Sequence, residues 1–152
     1  MLPKWHVLIG FLFSYILVYF FNIAIFSGLI IFISSFLIID LDHFLLYIIK
    51  RKNLNFFYFY LSSIKKNNSF RALPKKEKNK YMRSIFIFHG VECWIIVFLL
   101  SLKFKFFIWV LTGFAVHIIF DWIELLYTGN PLYIKLSAVY TAVKNRGKEK
   151  FN

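Results

Sequence analysis

The sequence predicts an all-α integral membrane protein, a bundle of four transmembrane helices with interfacial amphipathic segments, in a single domain over 1–152. Three observations point there. Of 152 residues, 60% are hydrophobic, 21 are Phe and the mean hydropathy is +0.66, more than a soluble globular domain carries. Residues 7–39 contain no charge at all, which is too long for one helix of about 20 apolar residues and reads as two spans folded into a hairpin. The formal charge of +12 is unevenly spread, with eleven Lys or Arg against Glu77 alone in 50–83 and four more in the tail at Lys144, Arg146, Lys148 and Lys150.

The elements follow in order. Span one covers about 6–21. Lys4 ahead of an apolar run resembles a secretory signal, but no small-residue cleavage site follows and the run is too long, so a retained helix is expected. Span two covers about 24–40, with the turn at 22–28. Spans three and four cover about 85–102 and 106–127, interrupted only by acids and histidines. The positive-inside rule sets the basic loop 50–83 and the basic tail 135–152 in the cytoplasm, and with four spans both termini face that side, at the cell membrane.

Between the spans, 53–64 gathers Phe56, Phe57, Tyr58, Phe59, Tyr60 and Leu61 beside basic residues, as expected of a segment lying in the headgroup layer. The polybasic stretch after it fits anionic lipid headgroups better than nucleic acid, because cytoplasmic positive charge is the rule for membrane proteins. Leu132, Leu136, Val139, Tyr140 and Val143 have helical spacing and predict a second surface helix over 132–143. The only cysteine, Cys93, excludes an intramolecular disulfide and is expected simply to pack. There is no internal repeat, no phosphate-cradling Gly-rich loop and no Ser-His-Asp order.

The ionisable residues inside the spans carry the functional signal. Five of the seven carboxylates lie beside histidines: Asp40 and Asp42 with His43, Glu92 with His89, and Asp121 and Glu124 with His117. A charge at the bilayer centre costs about 2.5–3.5 kcal/mol on insertion scales, so such groups have partners, ions or protons to handle. With both termini inside, His6, Asp40, His43, His89, His117 and Asp121 all fall in the cytoplasmic leaflet, Asp121 roughly 9 Å deep at 1.5 Å per residue. His89 and Glu92 are three apart and His117 and Asp121 four apart, so each pair shares a helix face. Bundles hold metals with such inward pairs from several helices. Each residue alone has a plainer reading: His6 beside Trp5 fits an interface, and each His–acid pair fits a buried hydrogen bond. Plain capping explains Asp40 and Asp42 poorly, since carboxylates are disfavoured at a helix C-terminus.

In order along the chain, HVLIG, DLDH, FHGVE and GFAVHIIFD, followed by TGNPLYI, resemble the motifs of the membrane-bound, metal-dependent hydrolases of bacteria and archaea. The similarity runs through most of the chain and extends more faintly to the zinc-dependent phospholipase C and nuclease P1 type of active site, where His-x3-Asp helices hold zinc ions. The pattern departs at span three, where the family has His-Arg-Gly-x-Thr-His-Ser and this chain has His89 followed directly by Gly90, with Glu92 near the missing groups; Ile39 replaces a proline before the Asp-x-Asp-His. The resemblance implies a metal site of His6, Asp40, His43, His89, His117 and Asp121.

The expected function is therefore a metal-dependent hydrolase working from the cytoplasmic leaflet on a lipid-like phosphoester. Glu92 is the expected proton acceptor, with Asp42 as a second catalytic candidate, while Glu124 takes a solvated place. Mixed imidazole and carboxylate ligands suit zinc first, with manganese or iron as alternatives. Two other functions use the same residues: an ion or metal transporter, or a non-catalytic membrane protein whose metal clamps the helices. The outer halves of the spans hold only Ser14, Tyr15, Ser27 and Ser101, which disfavours a permeation path.

Overall fold

A computed structural model describes residues 3–151, so Met1, Leu2 and Asn152, at the ends of the expected domain, lie outside the described residues. Among the described residues every element is helical. Helix α1 (Pro3–Phe21) turns through Asn22, whose φ of 51° is left-handed, into α2 (Ile25–Ile33). A π-helical segment (Ser34–Ile38) follows, then α3 (Leu41–Arg51). Next come α4 (Phe56–Ala72), the single turn α5 (Lys75–Lys78), α6 (Val91–Lys103) and α7 (Phe106–Tyr127). A 3-10 turn (Leu132–Lys135) and α8 (Ala138–Lys144) complete the order.

Helix α7 is the hub, packing on α1, α2, the π segment, α6 and the 3-10 turn. Its approach to α2 depends on Gly113: a Cβ there would stand 2.6 Å from the Ile31 carbonyl oxygen and would strike Ser34. Ile30, Ile39, Val97, Val110 and Phe114 form the apolar core, with Trp94 and Cys93 packed against it. At the hairpin, Ser14 Oγ donates to the Gly28 carbonyl at 2.6 Å.

Among the described residues, two helical runs are long and apolar enough to cross a membrane, Ile25–Arg51 and Phe106–Tyr127. The expected four spans are met in part. The apolar portion of α1, Trp5–Phe21, is shorter. The second run continues past the expected end at 40, through the π segment, to Arg51. The third is helical only over 13 residues, roughly 20 Å at 1.5 Å per residue and short of the roughly 30 Å hydrocarbon core. Residues 85–90 are not helical because other elements take their backbone: Phe88 N–H donates to Asp42, and Gly90 is extended at φ −74°, ψ 145°.

The expected headgroup-layer segment is the first half of α4. Its start is capped by Asn55, whose Oδ1 accepts from Phe57 and Tyr58 N–H at 2.9 and 3.3 Å. Phe59 turns inward to meet the rings of Phe44 and Tyr47, while Phe56, Phe57 and Tyr58 stay exposed. The expected surface helix over 132–143 is broken by Leu136 and Ser137 into the 3-10 turn and α8. Its apolar residues Leu132, Leu136, Val139, Tyr140 and Val143 all face outward, and the polar Lys135, Thr141 and Asn145 are buried. The tail returns to residues 80–82, where Met82 N–H donates to Glu149 O at 2.7 Å.

Candidate metal centre

All six residues expected as metal ligands converge at one end of the bundle. They fall into three overlapping triads, His6–Asp40–His117, Asp40–His43–His89 and His89–His117–Asp121, in each of which the ligand atoms lie within 4.8 Å of one another. Four of the six, His6, His89, His117 and Asp121, are 3% exposed or less, and Asp40 and His43 form the accessible rim at 21% and 33%. Helix α1 supplies His6, the junction of the π segment with α3 supplies Asp40 and His43, the non-helical stretch before α6 supplies His89, and α7 supplies His117 and Asp121.

The π segment explains why α7 and the second run fit here. Its wider turn presents the Ser35 carbonyl to His117 Nδ1 at 2.6 Å. A carbonyl only accepts, so Nδ1 carries the proton and Nε2 of neutral His117 is left with its lone pair facing the cluster. His89 is fixed in the same way. Asp42 Oδ2 lies 3.3 Å from its Nδ1 and also accepts from Phe88 N–H at 3.1 Å, so His89 Nε2 likewise turns inward. Asp40 and Asp42 thus act on opposite nitrogens of one imidazole, with Asp40 Oδ1 3.8 Å from His89 Nε2. In a regular helix residues two apart face away from each other; the break at 39–40 between the π segment and α3 lets both serve one site.

The inward atoms of these residues are ring nitrogens and carboxylate oxygens. His117 Nε2 stands 3.0 Å from Asp121 Oδ2 and 3.6 Å from Asp40 Oδ1, and His89 Nε2 stands 3.3 Å from Asp121 Oδ2. Ligand atoms around a zinc ion at 2.0–2.1 Å are about 3.3–3.4 Å apart in a tetrahedron, and the spacing within the His89–His117–Asp121 triad, where both imidazole nitrogens approach Asp121 Oδ2, is of that order. His117 Nε2 is buried with no hydrogen bond among the described residues. His6 completes the wall, stacked on His117 at 3.9 Å between centroids, with Nε2 3.4 Å from Asp121 Oδ1. His43 closes the rim 3.5 Å from Asp40 Oδ1, its ring stacked on Phe86. Buried His and Asp groups able to hold a metal ion are therefore present. An Nδ1 held by a carbonyl or a carboxylate, as in His117 and His89, is how metal-ligating histidines are oriented in general.

Three expected roles change. Glu92 does not face the cluster. Its carboxylate caps α8, accepting from Ser137 Oγ at 2.5 Å and from Ala138 and Val139 N–H at 3.2 Å each; the negative charge suits a helix N-terminus. Asp42 is a positioning carboxylate behind His89. Glu124, expected to be solvated, pairs with Arg71 of α4.

Sequence reasoning missed Lys135. Its Nζ lies 2.5 Å from Asp121 Oδ2 and 3.4 Å from His89 Nε2, and the residue is 7% exposed. Burial acts to lower its pKa, but the Asp121 and Asp40 carboxylates outweigh burial and hold it above the ordinary lysine value, so the ammonium is charged. A signal was available: Lys135 is the only charged residue between Glu124 and Lys144. The Ser35 carbonyl was beyond reach, because a backbone group leaves no mark in a sequence. No protein-family model, curated protein or solved structure matches this chain.

Proposed function

We propose that the chain is a multi-pass membrane protein with both termini cytoplasmic, and that it is a metal-dependent hydrolase, with zinc as the first candidate ion, acting on a lipid-like phosphoester. The convergence of His89 Nε2, His117 Nε2, Asp121 Oδ2 and Asp40 Oδ1 carries this reading. Each imidazole has its Nδ1 proton committed elsewhere, and electron-rich atoms 3.0–3.8 Å apart repel unless a cation or further protons lie between them.

The membrane part rests on the outward surface. Only 33% and 39% of the most apolar stretches of Ile25–Arg51 and Phe106–Tyr127 are buried, unlike the core helix of a soluble protein. Phe11, Tyr15, Tyr19, Phe20, Phe26 and Ile96 are each more than half exposed, and a contiguous apolar surface of that kind needs lipid or a partner. Basic residues in 50–83 set the cytoplasmic side, where they meet anionic headgroups. A cysteine introduced as Lys66→Cys in a Cys93→Ala background is expected to react with an impermeant maleimide only in opened cells; labelling in intact cells overturns the orientation.

A metal in the seat supplies Lewis acidity and lowers the pKa of a water. The chain does the rest. His6, His89, His117 and Asp121 form the dry wall, with Asp40 completing the seat from the rim; Asp42 and the Ser35 carbonyl hold the two imidazoles in register, and His43 at the accessible rim takes the proton of a water arriving from outside. In that orientation the Asp40–His43 rim faces the cytoplasmic headgroups, so a phosphate head would enter there while acyl chains stay in the bilayer. The test is hydrolysis of a phospholipid panel in mixed micelles by the full chain loaded with zinc or manganese. Turnover that chelation and His117→Ala abolish is expected; a metal-loaded wild type that hydrolyses none of the panel overturns the enzyme reading.

One observation favours a second reading, a metal-free polar clamp: the Lys135 ammonium already pairs with Asp121. Metal content separates the two.

A further inference from the structure

Lys135 reaches the cluster from the 3-10 turn and from none of the long helices, and its backbone is pinned while its side chain is not built into a wall. The 3-10 turn that carries it is anchored on both sides. Thr141 Oγ1 donates to the Tyr133 carbonyl at 3.0 Å, Val91 N–H donates to the Leu136 carbonyl at 2.8 Å, and Ile134 is buried. The four-carbon stem then crosses the face of Phe86, with Nζ 5.5 Å from the ring centroid, to end between Asp121 and His89.

The position of the head is the informative part. Nζ donates to Asp121 Oδ2, the oxygen that also stands 3.0 Å from His117 Nε2 and 3.3 Å from His89 Nε2. It therefore sits against the same oxygen and the same imidazole nitrogen that the metal reading assigns as ligands. Two cations at that distance repel strongly in a buried site, and a lysine stem has the rotatable bonds to move while its backbone stays put.

We propose that the Lys135 ammonium is a tethered cation that fills the seat between Asp121 and His89 and competes with a divalent metal ion for it. This rests on the metal centre proposed above. In the metal-free protein Lys135 neutralises Asp121 and keeps the wall assembled. When a metal enters, Lys135 swings outward along Phe86 toward His43 and the rim, where its charge meets the anionic head of the substrate. The side chain thereby sets metal affinity.

The test uses the full chain in detergent, with zinc affinity measured by competition against a chromophoric chelator. Lys135→Met keeps the stem and removes the charge, and is expected to bind zinc at least about tenfold tighter than wild type; Lys135→Arg, still cationic, is expected to show no gain. A second measurement on the wild type covers the case in which the methionine variant fails to fold. Acylation of Lys135 by an N-hydroxysuccinimide acetate, read by mass spectrometry, is expected to be slow without zinc and fast at saturating zinc. Equal or weaker zinc binding by Lys135→Met, or Lys135 equally protected with zinc bound, overturns the competition while leaving the metal centre standing. Zinc binding by neither chain overturns the metal centre and this inference together.

Discussion

The same helices build two unlike ends. At the end away from the cluster, α1 and α2 meet through small groups: Ser14 bonds the Gly28 carbonyl, and among the described residues no ionisable group is buried there. At the other end, α1, the π–α3 junction and α7 meet through three buried histidines, Asp42, Asp121 and Lys135. Apolar packing with close backbone approach suffices to hold helices together, as the first end shows. Buried ion pairs are weak evidence for stability, because desolvation offsets much of their attraction. The charged end is therefore best explained by chemistry rather than by adhesion, and each perturbation below asks whether the two ends respond as different kinds of structure.

Asp121 touches His6, His89, His117 and Lys135, so Asp121→Ala leaves a buried ammonium without its nearest carboxylate. A loss of about 3–5 kcal/mol is expected, read by unfolding of the metal-free protein in detergent. At the other end, a Cβ at Gly28 would run into Val18, so Gly28→Val should cost about 1–3 kcal/mol by overpacking and leave metal binding unchanged. Metal binding lost in Gly28→Val and kept in Asp121→Ala would invert the comparison.

The fold and the site were legible in the sequence to different depths, for physical reasons. Composition and apolar run length revealed the helices because burial in lipid or core demands an apolar surface all along an element. The six-residue cluster was legible because ionisable groups in apolar runs need partners, and helical spacing fixes which groups share a face. Run length alone could not show that 85–90 leaves the helix, since its apolar residues look the same whether their N–H groups bond within the helix or to Asp42. The Glu92 role failed for a related reason: spacing put it on the face of His89 as though 89–92 were helical, whereas the helix begins at Val91. Lys135 was invisible to helical spacing because it comes from a separate turn.

Two smaller effects refine the comparison. Glu92→Gln removes a charged cap from α8 while remaining able to accept hydrogen bonds, and should cost about 1 kcal/mol with metal binding and turnover retained. Abolished turnover with a normal unfolding curve would return Glu92 to the chemistry. Smallest is Glu124→Gln, which breaks the partly exposed pair with Arg71. A change under about 1 kcal/mol is expected from thermal unfolding, and a larger one would mean that α4 is held to α7 mainly by that pair.

The central claim is that the electron-rich atoms of His89, His117, Asp121 and Asp40 converge to hold a cation. Elemental analysis of the full chain, purified in detergent without chelators, tests it most directly. About one or more transition-metal ions per chain are expected, zinc first, falling sharply in His117→Ala and Asp121→Ala and unchanged in Glu92→Gln. Wild-type metal content well below one ion per chain would overturn it and leave the Lys135–Asp121 pair as a cation bridge in the cluster.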